Sequence, residues 1–297
     1  MEHKKNIKGY IYVIISSIFF ASYGIWSKLM SDSFDDFTQA WLRGLIVVLI
    51  LLPIGLFTKK LKSIYKPDLK WFLVFSIPGS LVFPFYFIGF RYLEIGTATL
   101  LFYSSLTITS YILGVIFFKE KMNILKMISL ALGLMGLLVI CKVTFDLGNI
   151  IPAIITILAG ICGSIEVVFS KKVSVKYSSL QLTTFLYSID IIINFTINLF
   201  VSKSIFTLTT DTIAWFSLIM YSISGLFAFL FVSLGYKRLE PSVAGIIGLL
   251  EIPFGIIFGI ALFSEVLELS TIIGGVLIIL ASALPSLKQV FKRNTQI

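Results

Sequence analysis

Long apolar runs, separated by short stretches of charged and turn-forming residues, divide almost the whole chain. Each run has about the 20 residues that a helix needs to cross the hydrocarbon core of a bilayer. The pattern predicts ten membrane-spanning helices, at residues 10–30, 38–57, 69–91, 96–118, 124–141, 149–170, 179–201, 212–236, 242–263 and 270–287. The expected fold is therefore an all-α integral membrane protein with short tails at 1–9 and 288–297.

The composition excludes a large soluble domain. Of the 297 residues, 58% are hydrophobic and 13% are charged, whereas a soluble domain has about 25% charged residues. The net charge of +9 lies in short loops rather than on one folded face, so the expected partner is the lipid bilayer and not nucleic acid. Cys141 and Cys162 fit neither a metal motif nor a disulfide framework, and no metal site is expected.

The distribution of positive charge predicts the orientation. With the N-terminus in the cytoplasm, the cytoplasmic segments hold 19 of the 24 lysines and arginines. Cytoplasmic loops of membrane proteins carry such an excess, so both termini are expected on the cytoplasmic side of the cell membrane. The basic start resembles a signal peptide, but no A-x-A cleavage site follows, which favours a retained first span.

Two segments resemble each other: "RYLEIGTATLLFYSSLTITSYILGVIFFKE" from Arg91 and "KRLEPSVAGIIGLLEIPFGIIFGIALFSE" from Lys237. The identical positions are Leu93, Glu94, Ala98, Gly114, Phe118 and Glu120, matched by Leu239, Glu240, Ala244, Gly259, Phe263 and Glu265. These segments are the fourth and ninth spans, so the repeat unit is five helices long. An odd number of spans inverts the second copy, which predicts two inverted five-helix repeats at 10–142 and 149–287. Inverted repeats are typical of secondary transporters.

On these motifs the chain resembles the drug/metabolite transporter superfamily and, within it, the EamA-type carriers. The resemblance rests on the "FFKE" and "LFSE" ends at Glu120 and Glu265, the "YLE" and "RLE" entries at Glu94 and Glu240, and Pro253. It implies a carrier whose central cavity is lined mainly by spans 1, 3, 4, 6, 8 and 9, with span 7 at the periphery. Substrates of the family include amino acids, sugars, nucleotide-linked compounds and drugs.

Four charged residues lie well within predicted spans, away from their ends: Arg43, Glu166, Asp190 and Glu251. A charge at the bilayer centre costs about 2.5–3.5 kcal/mol, so each is expected to face a cavity or a partner. Glu251 is the sharpest candidate, because it lies near the middle of a span expected to line the cavity. It either binds a cationic substrate group or the driving proton, or it is a structural acid paired with Arg43 or with hydroxyls.

Other side chains are candidates for lining the cavity. Pro253 removes a backbone donor and leaves the carbonyl of Leu249 without its usual partner, which exposes backbone polarity or merely kinks the helix. Aromatic rings in the cavity would hold an amine by cation–π contact, and hydroxyls would either face the cavity or bond their own backbone. The remaining substrate-site candidates are Tyr103, Thr107, Tyr86, Trp26, Tyr23, Tyr221 and Glu166, the last close to Lys171 near the end of its span.

Four charged residues are expected to have structural roles. Asp190 is predicted to pair with another helix, and Arg43 to pair with a buried acid. Glu120 and Glu265 immediately precede the next helices, where a helix N-terminus stabilises a carboxylate.

Several enzymatic motifs are absent from the sequence. There is no G-x-x-x-x-G-K-[ST] or G-x-S-x-G, and the only histidine is His3, so neither catalysis nor a cofactor is expected. The sequence predicts a secondary transporter that works by alternating access, with an amino acid or amine as the expected export substrate. A channel or a membrane scaffold is the alternative, and proton coupling and homo-oligomer formation stay open.

Overall fold

The computed structural model describes residues 2–30, 33–93, 95–140, 150–201, 210–263 and 268–294. In these ranges the chain forms twelve α-helices and no strand. They are α1 (Glu2–Ala21), α2 (Tyr23–Met30), α3 (Asp36–Phe57), α4 (Lys66–Tyr92), α5 (Ile95–Phe118), α6 (Ile124–Ile140), α7 (Ile150–Val173), α8 (Ser179–Val201), α9 (Thr212–Tyr236), α10 (Pro241–Gly248), α11 (Glu251–Phe263) and α12 (Leu269–Asn294).

Eight segments of the described chain are long and apolar enough to cross a bilayer. Two shorter apolar helices, Ile124–Ile140 and Leu269–Pro285, correspond to the fifth and tenth predicted spans. The long segments confirm the expectation of an all-helical, multi-pass membrane protein. Acidic residues cap the N-termini of two of the long segments. Asp35 accepts from the Thr38 amide at 3.0 Å at the start of α3, and Asp211 accepts from the Ile213 amide at 2.9 Å at the start of α9.

Two of the predicted spans are broken helices rather than continuous ones. The first span is interrupted at Ser22, whose hydroxyl donates to the Phe19 carbonyl at 2.7 Å and to Ser224 Oγ on α9 at 3.0 Å. Because that side chain competes with the helical backbone for hydrogen bonds, it favours an interruption here.

The ninth span is interrupted immediately before Glu251, between α10 and α11. Leu249 and Leu250 donate to carbonyls three residues back, at 3.1 and 3.0 Å, so the last turn of α10 is tightened. The carbonyl of Leu249 lacks its usual partner, the amide of residue 253, and accepts instead from the Ile252 amide at 3.0 Å. Pro253, which has no N–H, therefore breaks the helix and Glu251 begins a new one.

The helices pack in pairs that connect the two predicted repeats. α3 packs on α8, α5 on α10 and α6 on α12. In addition, α7 packs on both α4 and α5. In the same way, α1 packs on α9, α10 and α11. These contacts enclose the side chains of α2, α3, α4, α7, α8 and α9 that form the site described next.

Candidate functional site

A buried ion pair lies at the centre of the helices. Arg43 Nη2, on α3, is 3.3 Å from Asp190 Oδ2 on α8, with exposed side-chain fractions of 3% and 2%. Arg43 Nη1 donates to the Tyr221 hydroxyl on α9 at 3.2 Å. Asn194 Nδ2 donates to the other oxygen of Asp190 at 2.8 Å. Hydrogen bonds to both members of the pair offset the cost of removing two charges from water.

Aromatic rings surround the Arg43 guanidinium. Its carbon lies 4.5 Å from the ring centroid of Phe83, 5.1 Å from that of Tyr221, 5.3 Å from that of Tyr187 and 5.9 Å from that of Tyr23. At these distances a cation is attracted to the ring faces. Tyr23 and Tyr221, both predicted to line the substrate cavity, thus contact the protein's own cation.

Beside the ion pair lies a small cavity of about 10 Å³, enough for roughly one water molecule. We call it the Arg43 cavity, and its lining consists of Phe20, Tyr23, Arg43, Gly79, Phe83, Glu166, Leu186, Tyr187, Asp190 and Phe229. Asp190 therefore faces a cavity, although the family resemblance placed its span at the periphery. Glu166 also reaches this cavity, while Lys171 donates to the Leu239 carbonyl instead of approaching Glu166.

Glu251 lies at a second place, which we call the Glu251 site and define by Glu251, Tyr103, Phe102 and Tyr86. A hydrogen bond joins the Tyr103 hydroxyl on α5 to the Glu251 carboxyl. The Phe102 ring stacks on Tyr86 of α4 at 4.1 Å between centroids and meets the Tyr103 ring edge-on at 4.9 Å. Of the structural alternatives that the sequence left open for Glu251, the hydroxyl partner is the one observed, since Arg43 pairs with Asp190.

Two glycines near Glu251 in the same span face open space. A Cβ atom built on Gly248 or Gly255, three residues before and four residues after Glu251, would meet no atom within 4 Å. These two glycines therefore do not serve close helix packing. Pro253, between them, is half-buried. Glu251 thus has one hydroxyl partner, and the glycines before and after it in the chain face open space.

Two predicted cavity residues carry buried polar atoms that have no hydrogen-bond partner in the described part of the chain. Thr107 Oγ1 lies one helical turn beyond Tyr103, and Trp26 Nε1 lies on α2, where its ring meets Phe216 edge-on at 6.1 Å. Buried polar atoms are rarely left unpaired unless a ligand or water satisfies them. Both atoms are available to such a partner.

Glu120 is part of a third charged cluster, away from both sites. Lys126 Nζ is 3.1 Å from Glu120 Oε2 and 2.7 Å from Glu240 Oε2, and the Ser242 hydroxyl donates to Glu120. We call these four residues the Lys126 cluster. Gly114 makes room for it, because a Cβ there would lie 2.8 Å from Glu120 Cδ. Glu120 is thus held by a cation and a hydroxyl in addition to any helix-terminal effect.

Some predicted residues lie outside the described ranges: Glu265, Glu94 and Cys141. Cys162 is a half-buried free thiol on α7. Among the described residues no three His, Cys, Asp or Glu side chains come together in the way that a metal site needs.

The EamA-like transporter family model matches the chain twice, over residues 7–142 and 150–287. The chain belongs to the EamA-like transporter family. Two curated relatives from strains of Helicobacter pylori, each named an uncharacterized transporter, are 24% identical over 289 residues, which is 95% of this chain and 96% of theirs. A solved crystal structure with 14% identity superposes with a TM-score of 0.78 over 94% of this chain and 96% of that one, which shows a shared fold.

Family membership and the transporter names of the relatives indicate that this EamA-like protein is a transporter rather than an enzyme. A transporter of this kind lies in a lipid bilayer and binds a small-molecule substrate.

The sequence reasoning missed the meeting of Arg43, Asp190 and Glu166 in one cavity. A signal was present, because three acids and a single cation lie more than three residues from either end of a predicted span. Buried charges tend to pair, so one cation among three acids required a choice of partner. Which acid it took depended on helix packing, which the sequence pattern does not give.

Proposed function

We propose that this EamA-like protein is a secondary transporter of small metabolites, working by alternating access between two inverted five-helix halves, residues 10–142 and 149–287. In this proposal the helices Ile124–Ile140 and Leu269–Pro285 also cross the bilayer, which gives ten spans. Both termini then lie on the cytoplasmic side of the cell membrane. The double match of the family model supports the two halves.

The helix contacts also support this arrangement. In two equivalent halves each span of the first half corresponds to the span five places later in the second half. Under this correspondence the contact of α4 with α7 becomes the contact of α9 with α1, and the contact of α5 with α7 becomes the contacts of α10 and α11 with α1. The α3·α8, α5·α10 and α6·α12 contacts map onto themselves under the same correspondence. Two halves with equivalent contacts can exchange roles, which gives inward-open and outward-open states of similar energy.

We place the substrate at the Glu251 site and expect an amine-bearing metabolite, such as an amino acid, to be exported. The hydrogen bond between Glu251 and Tyr103, at a helix break flanked by two glycines that face open space, is the observation that carries this assignment. A carboxylate with aromatic neighbours recognises an ammonium group by charge and by cation–π contact. Thr107 and Trp26 supply further polar atoms, and Pro253 keeps the helix break that positions Glu251.

Counterflow in proteoliposomes across a panel of amino acids and amines tests the carrier. We expect saturable counterflow for at least one compound. Flux that does not saturate would instead favour a channel, and absence of flux for every compound would favour a membrane scaffold.

Substitution of Glu251 by Gln tests the site. Loss of a charged hydrogen-bonding partner costs about 1.5–3 kcal/mol, so we expect the substrate affinity of Glu251→Gln to be roughly 10- to 100-fold lower than that of the wild type. Tyr103→Phe should lower the affinity by a smaller factor. The matched control is Glu268→Gln, an exposed glutamate immediately before α12. If Glu251→Gln changes only the response to a pH gradient, Glu251 carries the driving proton; if it changes nothing, neither role holds.

A further inference from the structure

The Arg43 cavity brings together one cation and two acids. Arg43 is bound to Asp190, and both oxygens of that carboxylate have a hydrogen-bond donor. Glu166 lines the same cavity from α7, but it takes part in none of the hydrogen bonds or ion pairs found in the described part of the chain. The guanidinium is therefore already committed to the other acid.

The Glu166 side chain packs against Gly79 of α4. A Cβ built on Gly79 of α4 would lie 2.9 Å from Glu166 Cγ and 3.0 Å from its Cδ, so the absence of a side chain at Gly79 leaves room for Glu166 in its present position. The other walls are largely apolar, with Phe20, Phe83 and Leu186 among them. Glu166 is thus packed into the cavity and does not extend along the protein surface.

The balance of charge decides the state of this acid. One guanidinium neutralises one carboxylate, and a second carboxylate that lines the same cavity without a partner is unfavourable. No second cation lines the cavity among the described residues. The charged groups that act on Glu166 are Arg43 and Asp190. The titratable groups on which the Glu166 charge acts are Tyr23, Tyr187, Tyr236 and Cys162. With Arg43 paired to Asp190, the neutral acid form of Glu166 avoids the cost.

We propose that Glu166, with the Arg43–Asp190 pair, forms a proton-binding site separate from the Glu251 site. The cavity volume of about 10 Å³ admits a water molecule but not a metabolite, and the nearby guanidinium disfavours a metal cation such as sodium. Release of the proton to water leaves a carboxylate, which then competes with Asp190 for Arg43. The ion pair has two arrangements as a result, joining α3 either to α8 or to α7.

The coupling of this proton to transport rests on the proposed function, but the protonation of Glu166 does not. Phe83 connects the two places, because it lines the Arg43 cavity and packs against the hydrophobic cluster that contains Tyr103 and Ile252. The Arg43 guanidinium lies over the Phe83 ring. In this proposal, movement of Arg43 therefore shifts Phe83 and, through it, the packing around Tyr103 at the Glu251 site.

Infrared difference spectroscopy of the full-length protein in liposomes, between two pH values and without substrate, tests the protonation. We expect a C=O band of a protonated carboxyl group that is lost in Glu166→Gln and kept in Glu251→Gln and in the Glu268→Gln control. Glu166→Asp should keep such a band at a shifted position, which separates loss of the acid from misfolding. An unchanged spectrum in Glu166→Gln would overturn the proposal.

A transport measurement tests the coupling. For a compound that shows counterflow, we expect an imposed pH gradient to accelerate uptake in the wild type and in Glu268→Gln, and to have no effect in Glu166→Gln. Uptake driven by a sodium gradient and abolished in Glu166→Gln would overturn the assignment of the proton as the bound ion. If the wild type transports no compound at all, the proposed function fails, while the infrared result still decides the protonation of Glu166.

Discussion

Gly225 illustrates how a single residue positions the groups around Arg43. A Cβ at this position of α9 would lie 2.5 Å from the hydroxyl oxygens of both Tyr23 and Tyr187, and 3.5 Å from Arg43 Cδ. The two phenols and the guanidinium therefore meet at a point where α9 has no side chain. The sequence shows a glycine among serines here, but not that three helices present polar groups to it.

We predict that Gly225→Ala destabilises the protein, because both hydroxyls must move. Overpacking of a well-filled interior costs about 1–3 kcal/mol, which thermal unfolding in detergent would measure. Gly24→Ala is the matched control, since a Cβ there meets no atom within 4 Å. Equal melting temperatures for the two variants would contradict the packing described around Gly225.

At the scale of helices, α6 and α12 cross through a pair of glycines. A Cβ on Gly136 would lie 2.8 Å from the Gly274 carbonyl oxygen, and a Cβ on Gly274 would lie 2.5 Å from the Gly136 carbonyl oxygen. Backbones in a membrane approach closely where such small residues face each other, since van der Waals packing drives helix association there. The neighbouring Gly275 faces open space.

These adjacent glycines give a direct test of that crossing. We predict that Gly274→Ala lowers the free energy of unfolding by about 1–3 kcal/mol, because it contacts backbone that cannot rotate away. Gly275→Ala should leave it unchanged or raise it, since alanine is the better helix former. Denaturant titration of both variants would measure the difference, and a larger loss in Gly275→Ala would show that the crossing is wrongly placed.

At the scale of the whole molecule, the Lys126 cluster joins the two regions that match the family model. Glu120 and Lys126 belong to residues 7–142, whereas Glu240 and Ser242 belong to residues 150–287. The side chains of Lys126 and Glu120 are only 6% and 3% exposed. A buried cation between acids from both regions holds this end of the molecule together.

We predict that Lys126→Met destabilises the protein by roughly 3–5 kcal/mol, because it leaves the Glu120 charge buried without its partner. The double variant Lys126→Met with Glu120→Gln should recover part of this loss, since it removes the uncompensated charge. Lys176→Met is the control, because Lys176 pairs with Asp68 but is 61% exposed, and such pairs contribute at most about 1 kcal/mol. Thermal unfolding of the single and double variants measures these losses. If the loss in the double variant equals the sum of the losses in Lys126→Met and Glu120→Gln, the pairing of Lys126 with Glu120 is contradicted.

The sequence by itself determined the helical, multi-pass class and the family resemblance, and the family match confirms both. It did so because each membrane-spanning helix is a continuous run of apolar residues, which can be recognised from the local sequence alone. It also indicated that Pro253 would disturb its span, although the break at Ser22 carried no comparable signal.

Only the tertiary structure decided which charges meet. Arg43 and Asp190 are 147 positions apart, and Glu120 and Ser242 are 122 positions apart. Glu166 enters the same cavity as the first pair because Gly79 of α4 leaves space for it. Hydrophobic periodicity states which residues avoid lipid, but the partner of a buried charge depends on which helices touch and at what height, and that is settled by contacts between distant parts of the chain.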